Sequence, residues 1–223
     1  MLSKIKYLHG VYKEKKGLNT LSKALLKHVE YANGYFVELG ANDGISQSNT
    51  LYLERYLGWH GVLVEPYVYN YLKCLKSRSP RNKIFCCACV SFDYKDEFVK
   101  IVYSNLMSVA LGLETDLQDA YSHAKMGETF LKDDQKNFTF DASAKTLNVL
   151  LEEANAPKLI DLVVIDVEGA EIEVLKGIDH NKYRFKYICV ESRDINKILI
   201  YLNAYGYMLV EKLTHHDYLF KEL

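Results

Sequence analysis

The feature that most constrains the fold of this chain is a series of short apolar runs separated by stretches with helical periodicity. The runs span residues 35–39, 61–65, 84–90, 159–165 and 187–191. They lack the polar alternation of a half-exposed strand, so each is predicted to be a strand buried on both faces. Strands that alternate with helices favour right-handed crossovers, which give a parallel sheet with helices on both sides.

The stretches between the runs carry apolar residues at three- and four-residue steps, as amphipathic helices do. We predict helices over residues 18–33, 50–57, 67–76, 142–155, 170–175 and 194–204. The segments 206–213 and 217–220 have no helix between them, so we expect an antiparallel hairpin at one edge of the sheet. The expected fold class is therefore α/β, a three-layer α/β/α sandwich with a mostly parallel, Rossmann-like sheet.

The length of the chain limits the number of domains. With 223 residues and about 150 residues per domain, we expect one domain with additions. Residues 1–33 are predicted to be an N-terminal helical segment and residues 34–223 the main domain. Residues 104–137 are polar and lack a strand pattern, so we interpret them as an insertion with a short helix near 116–125. Residues 96–103 are interpreted as an extra strand.

Composition and charge exclude several classes of protein. The formal net charge is −1 without any basic block, which disfavours a nucleic-acid binder. No apolar stretch approaches the roughly 20 residues of a membrane span, and the lysine-rich N-terminus lacks the apolar core of a secretory signal. The five cysteines, three of them at Cys86, Cys87 and Cys89, are expected to be reduced thiols in a cytoplasmic protein.

Ligands of such sheets bind beyond the carboxyl ends of the strands. The first run leads into the sequence ELGANDG, in which Gly40 and Gly44 permit a tight turn close to a ligand. This spacing is neither that of a dinucleotide-binding turn nor that of a P-loop, and such a turn can simply join a strand to a helix. Glu65 ends the second run, where an acid can accept hydrogen bonds from both ribose hydroxyls. The two features together predict a ribose-bearing cofactor.

Carboxylates follow the fourth and fifth runs. Asp166 and Glu168 point to the same side of an extended segment, and Glu171 lies in the first turn of the next helix, where it can simply complement the helix dipole. Close carboxylates must share a proton or a cation. Glu191 ends the neighbouring strand, so Asp166 and Glu191 can hold a divalent cation through oxygen ligands. An ion pair of Glu191 with Arg193 or a nearby lysine is the equal alternative.

The order of these segments resembles one known family. The sequence reads FVELGANDG, VLVEP, TLNVLLEE, IDLVVIDVEGAEIEVLKGID and ICVES over residues 34–210, and it is similar to the FkbM-type family of S-adenosylmethionine-dependent methyltransferases. The segment DVEGAEIEVLKG is the most specific part of the likeness. The resemblance implies the class I methyltransferase fold, with a seven-stranded sheet and an antiparallel last strand.

The family also implies roles for individual residues. The glycine turn would hold the methionine part of the cofactor, Glu65 the ribose, and the segment around Cys87 and Ala88 the adenine. Glu38 and Asp166 would lie near the amino group of the cofactor. The implied cofactor residues are Glu38, Gly40, Ala41, Asn42, Gly44, Glu65, Pro66, Cys87, Ala88 and Asp166.

The predicted activity is O-methylation of a hydroxyl of a sugar or glycan, either a nucleotide-linked sugar or a polysaccharide unit. Asp166, Glu168 and Glu191 are the predicted catalytic residues, acting as a base or through a Mg²⁺-type ion on Asp166 and Glu191. The alternatives are methylation of a natural-product hydroxyl and a non-catalytic binding protein that keeps the fold. The expected partner is a small-molecule or glycan acceptor, and residues 104–137 are expected to select it.

Histidines and tyrosines give weaker signals. His215 and His216 are expected to be exposed turn residues and His180 a helix-end cap, while His123 is a possible base without a defined position. A zinc site at Cys86, Cys87 and Cys89 lacks the usual spacing. The chain has 18 tyrosines, and rings with hydroxyls suit a sugar. Those expected to flank the cleft are Tyr67, Tyr69, Tyr71, Tyr103 and Tyr121.

Overall fold

The computed structural model describes residues 15, 18–131 and 136–223. Its main element is a seven-stranded sheet. In chain order its strands are β1 (Tyr35–Leu39), β2 (His60–Val64), β3 (Lys83–Phe85), β8 (Leu159–Ile165), β9 (Arg184–Glu191), β10 (Tyr207–Lys212) and β11 (Asp217–Glu222). In space they lie in the order β10-β11-β9-β8-β1-β2-β3. The pairs within β3-β2-β1-β8-β9 are all parallel, as the uninterrupted apolar runs predict.

The last strand completes the predicted fold class. β11 pairs antiparallel with both β9 and β10. The predicted hairpin is therefore present. Its second strand, β11, lies between β9 and β10, so β10 forms the edge of the sheet. The mostly parallel seven-stranded sheet with an antiparallel last strand is confirmed.

Helices cover both faces of the sheet. They are α1 (Thr20–Val29), α2 (Leu51–Leu57), α3 (Val68–Ser77), α4 (Ala120–Met126), α5 (Leu147–Glu153), α6 (Glu171–Lys176) and α7 (Ile195–Ala204). Successive strand residues point to opposite faces, so Phe36 packs in a core with α1, α2 and α3, and Val37 packs in a core with α5, α6 and α7. None of the helices in the described part of the chain is long and apolar enough to cross a membrane.

A second, four-stranded sheet borders the predicted insertion, which contributes only one short strand to it. Its strands are β4 (Ala88–Cys89), β5 (Phe98–Tyr103), β6 (Val109–Ala110) and β7 (Phe138–Lys145), in the order β4-β7-β5-β6. Strand β5 corresponds to the predicted extra strand, and α4 is the short helix expected near 116–125. Residues 132–135 of the insertion lie outside the described residues, as do the N-terminal residues 1–14.

Two predictions of secondary structure are wrong. The run 84–90 is not one strand, because β3 ends at Phe85 and β4 starts at Ala88 in the second sheet. Residues 142–145 are not helical, because Ala142 and Ala144 pair with Val99 and Ala88 across the second sheet. Sheet pairing overrides the helix propensity of alanine there, and α5 begins only after Thr146, whose side chain caps the amide of Val149.

Candidate active site

A cavity of about 510 Å³ lies at the carboxyl ends of the parallel strands, within the size range of small-molecule sites. It has two chemically different ends. The Glu65 end is lined by Glu65, Pro66, Tyr67, Cys87, Ala88, Tyr103 and Phe140. The Glu191 end is lined by Asp166, Glu168, Glu191 and the hairpin turn Thr214, His215, His216 and Asp217. The sequence-based expectation that function lies beyond the strand ends agrees with the position of this cavity.

The glycine turn after β1 packs tightly against its neighbours. Gly40 has a φ of +78°, and a Cβ atom there would collide with the backbone oxygen of Asp166. Gly44 has a φ of +79°, and its Cβ would press on Ser77 and Cys74 of α3. Gly40 and Asn42 line the cavity, whereas Ala41 is buried in the core and neither it nor Gly44 belongs to the lining.

Glu38 forms a buried ion pair that sequence reasoning missed. Its carboxylate lies 3.1 Å from Nη1 of Arg78, whose side chain is fully buried. It also accepts hydrogen bonds from the amide of Asn49 and the hydroxyl of Thr50. Burial disfavours the charged guanidinium, but the carboxylates of Glu38 and Glu54 raise the pKa of Arg78 above its usual value. Glu38 lines the cavity and holds residues 48–50 at the end of β1 through hydrogen bonds.

Glu65 is held by backbone groups from both sides. Its two carboxylate oxygens accept hydrogen bonds from the amides of Asn42 and Tyr67, each at 2.9 Å. Burial raises the pKa of Glu65 to about 7, although both amides lower it. A carboxylate has about four acceptor positions, so Glu65 keeps capacity to accept further hydrogen bonds in the cavity.

Aromatic rings form the wall beside Glu65. The rings of Tyr67 and Tyr103 lie 4.5 Å apart, and Phe140 contacts Tyr67 at 5.5 Å. Of the tyrosines expected at the cleft, only Tyr67 and Tyr103 line the cavity in the part of the chain that the structure describes. The other three, two of them exposed to solvent, do not belong to the lining: Tyr69, Tyr71 and Tyr121.

The three predicted catalytic acids come together. Asp166, Glu168 and Glu191 each offer an oxygen atom within 4.8 Å of the others, a spacing that can hold a metal ion. Arg193 also reaches this group, with Nη2 at 3.1 Å from Glu168 and 3.2 Å from Glu191. The ion pair between Glu191 and Arg193, one of the two alternatives from the sequence, therefore forms. It neutralises part of the negative charge that a bound cation would otherwise balance.

The acids perturb one another's protonation. Burial and the neighbouring Glu191 raise the pKa of Asp166 well above its usual value, which is what two carboxyl groups that share a proton show. Burial and Glu191 also raise the pKa of Glu168, while His123 and Arg193 lower it. Glu171 has a different position, because it is buried and accepts hydrogen bonds from the amides of Val167 and Gly169. Burial raises the pKa of Glu171 to about 8.

The insertion docks directly on these acids. Nε2 of the buried His123, on α4, lies 2.7 Å from the carboxylate of Glu168. The carboxylate of Asp116 accepts hydrogen bonds from the amides of Arg193 and Asp194. Gly169, with a φ of +104°, leaves room for the insertion where a Cβ would press on Thr115 and Leu117. Sequence reasoning gave His123 no position and missed Asp116, since neither lies in a motif.

The other histidines and the cysteines that the sequence singles out lie in different environments. His215 and His216 line the cavity with parallel rings 4.3 Å apart. His180 packs against the ring of Tyr205 away from the cavity, and burial lowers the pKa of its imidazole to about 4. All five cysteines are free thiols, and Cys86, unlike Cys87 and Cys89, is not part of the cavity lining.

The sandwich and the cavity at the strand ends define a Rossmann-like α/β protein. The Methyltransferase FkbM domain matches residues 38–209. The chain therefore belongs to the FkbM methyltransferase family, which generally uses S-adenosylmethionine. This confirms the resemblance drawn from the sequence.

Two solved structures are also similar. Methyltransferase FkbM from Methylobacillus flagellatus KT is 13% identical, with a TM-score of 0.46, and the match covers 85% of this chain and 43% of that one. Precorrin-6y C5,15-methyltransferase from Geobacter metallireducens GS-15 is 11% identical, with a TM-score of 0.40, and the match covers 90% and 86%. This chain thus spans less than half the length of the M. flagellatus protein. No curated protein matches it.

Proposed function

We propose that this protein is an S-adenosylmethionine-dependent O-methyltransferase that acts on a hydroxyl of a sugar or glycan. The observation that carries the proposal is one cavity that contains the buried acid Glu65 and the adjacent carboxyl groups of Asp166 and Glu191. The catalytic domain would comprise residues 34–223, with residues 1–33 as a helical N-terminal segment and residues 104–137 as an insertion.

The residues present fit the cofactor. Glu65 has free acceptor capacity for ribose hydroxyls. Gly40 lets the turn pack against the backbone of Asp166 at a position where a side chain cannot fit. Asn42 lines the same turn, while Glu38, Ala41 and Gly44 give it its shape. Pro66, Cys87 and Ala88 would face the adenine, and Asp166 the amino group. When bound, S-adenosylmethionine supplies a methyl group on a positively charged sulfur, which is already a strong electrophile.

The protein must activate the acceptor. A hydroxyl is a poor nucleophile while it keeps its proton, and a carboxylate base within hydrogen-bond distance typically contributes about 10²–10⁴-fold in rate. In the proposed mechanism the acceptor hydroxyl donates its hydrogen bond to the ionised member of the Asp166–Glu191 pair. Its proton moves onto that carboxylate as the oxygen becomes methylated, and it then leaves to solvent. Arg193 and His123 hold Glu168 beside this pair.

A divalent cation is the other way to activate the hydroxyl. Oxygens of Asp166, Glu168 and Glu191 lie close enough together to hold a metal ion, and Mg²⁺ prefers oxygen ligands. A bound cation would stabilise the alkoxide. Arg193 competes for the same carboxylates. Complete chelation separates the two mechanisms: unchanged turnover supports the direct base, and a loss that Mg²⁺ restores supports the metal.

Two measurements test the proposed function. Isothermal titration with S-adenosylmethionine should show one site per chain, and the absence of binding would refute the enzyme and favour a binding protein that only keeps the fold. Transfer of a labelled methyl group to sugars and glycans should then yield methyl ethers. If the protein binds S-adenosylmethionine and methylates another hydroxyl compound but no sugar, the acceptor is a natural product and not a sugar.

A further inference from the structure

The strand order divides the cavity between cofactor and acceptor. Glu65 follows β2 and Glu191 ends β9, three strands away, which is about 14 Å at the usual strand spacing. The residues proposed to hold the cofactor follow β1, β2, β3 and β8. The Glu191 end beyond β8 is therefore the part of the cavity that remains for the acceptor.

The turn between β10 and β11 forms the outer wall of this end. The imidazole rings of His215 and His216 are nearly parallel, with an angle of 6° between them. Flat rings with polar edges can pack on the C–H face of a sugar ring and hydrogen-bond to its hydroxyls at the same time. The chemistry of the wall thus fits a polyhydroxylated ring.

The turn is built to hold this wall in place. The amide of Ser192, at the end of β9, donates to the backbone oxygen of His216 at 2.8 Å, and the amide of Leu213 donates to Asp217 at 2.8 Å. The hydroxyl of Thr214 also hydrogen-bonds to the carboxylate of Asp217. A wall that is already ordered loses little conformational entropy when a ligand binds.

Uncharged hydrogen-bonding groups lie near the same cavity. Asn19, at the start of α1, and Gln47 and Asn49, in the loop after the glycine turn, all line it. Amides offer donors and acceptors together, as vicinal hydroxyls require. The start of α1 is not an open anion site, because the side chain of Asn19 already accepts a hydrogen bond from the amide of Ser22.

The charges of the lining disfavour an anionic acceptor. Recognition of a diphosphate normally requires Arg or Lys donors, and the described residues that line this cavity include neither. A phosphate at the Glu191 end would instead meet the carboxylates of Glu168, Glu191 and Asp217, and Arg193 already pairs with the first two. Burial and the nearby Glu191 already raise the pKa of Asp217, although Thr214 and His216 lower it. Added negative charge there is unfavourable.

We infer that the Glu191 end is an acceptor site for an uncharged polyhydroxylated ring, that the turn formed by residues 214–217 determines its specificity, and that it rejects sugars carrying a phosphate or nucleoside diphosphate. This inference rests on the proposed function. Of the two sugar classes expected from the sequence, it keeps the polysaccharide unit and excludes the nucleotide-linked sugar.

The test compares matched acceptors and matched variants. Labelled methyl transfer is measured for methyl glycosides, for the corresponding sugar phosphates and for the corresponding UDP-linked sugars. We expect kcat/KM to be at least tenfold higher for the uncharged set. The double variant His215→Ala/His216→Ala should raise the acceptor KM at least tenfold while the Kd for S-adenosylmethionine changes less than twofold. The control is His60→Ala, because His60 starts β2 at the end of the strand away from Glu65. It should leave the acceptor KM and the Kd for S-adenosylmethionine unchanged.

A second readout does not require turnover. Calorimetric titration of the S-adenosylhomocysteine complex with each acceptor should show tighter binding of the uncharged sugars, and the double variant should lose that binding. Equal or better use of the phosphorylated or UDP-linked sugars would overturn the inference, as would an unchanged acceptor KM in the double variant. Loss of S-adenosylmethionine binding by the unaltered protein would instead refute the proposed function itself.

Discussion

The two ends of the cavity are built by different means. At the Glu65 end, the carboxylate of Glu65 is fixed by two backbone amides from its own strand end and the neighbouring turn. At the Glu191 end, the acids are fixed by side chains such as Arg193 and by the insertion through His123. The first arrangement uses backbone amides, and the second uses charged and polar side chains, including that of His123, which lies 45 residues from Glu168. The ends should therefore respond differently to substitution.

The largest expected effect is at the Glu191 end. Glu191→Gln keeps the shape of the side chain but removes the carboxylate beside Asp166, so kcat should fall about 10²–10⁴-fold. The Kd for S-adenosylmethionine should change little, because Glu191 lies one strand beyond the residues proposed to hold it. Steady-state kinetics and calorimetry measure the two values, with the exposed Glu97→Gln as control. Normal turnover of Glu191→Gln would exclude the proposed base.

A substitution in the glycine turn should act on the whole fold. Gly40→Ala adds a Cβ that collides with the backbone of Asp166, and its positive φ adds strain, so we expect a loss of about 3 kcal/mol in the free energy of unfolding. Gly112 has nearly the same φ, +77°, but nothing within 4 Å of its Cβ.

Gly112→Ala is therefore the matched control, and its cost should be about 1 kcal/mol from the positive φ alone. Urea unfolding of both variants measures the difference. If both variants lose the same free energy of unfolding, the close packing of Gly40 against the backbone of Asp166 does not contribute to stability. That packing would then not link the two ends of the cavity.

Binding at the Glu65 end should depend on pH. Ribose hydroxyls donate to the ionised carboxylate, and burial raises the pKa of Glu65 to about 7. Protonation at lower pH therefore opposes binding, so affinity for S-adenosylmethionine should fall about tenfold from pH 8 to pH 6. Glu65→Gln should bind more weakly and lose most of this dependence. A pH profile of Kd that is identical in both proteins would remove Glu65 from the ribose site.

The contact made by the insertion should have a moderate effect. His123 lowers the pKa of Glu168, and the charge of Glu168 raises the pKa of Asp166. His123→Ala should therefore raise the pKa of Glu168, weaken its effect on Asp166 and move the pH profile of kcat downward. It should also lower kcat about tenfold at neutral pH, because Glu168 loses a partner that holds it beside the Asp166–Glu191 pair. His123→Gln keeps a donor and should restore part of the loss. Tyr121→Ala, exposed on the same helix, is the control. A lower kcat with an unshifted profile would indicate only a structural role for His123.

The sequence determined the features that arise from local patterns. Uninterrupted apolar runs are typical of strands covered on both faces, so they predicted the parallel sheet, although the run 84–90 divides between two sheets. The helix-free end of the chain predicted the hairpin of β10 and β11. Glu65 and the turn at Gly40 follow directly from strands, which is why their place at the cavity was predictable. Asp166, Glu168 and Glu191 lie next to strand ends for the same reason.

The tertiary structure decided what depends on distant partners. Residues 142–145 resemble a helix, but pairing with β4 and β5 makes them a strand, because hydrogen bonds across a sheet outweigh a small difference in propensity. Arg78 meets Glu38 across 40 residues, and His123 meets Glu168 across 45. No local pattern encodes such pairs. Their energies come from burial and from charges that only the folded chain brings together.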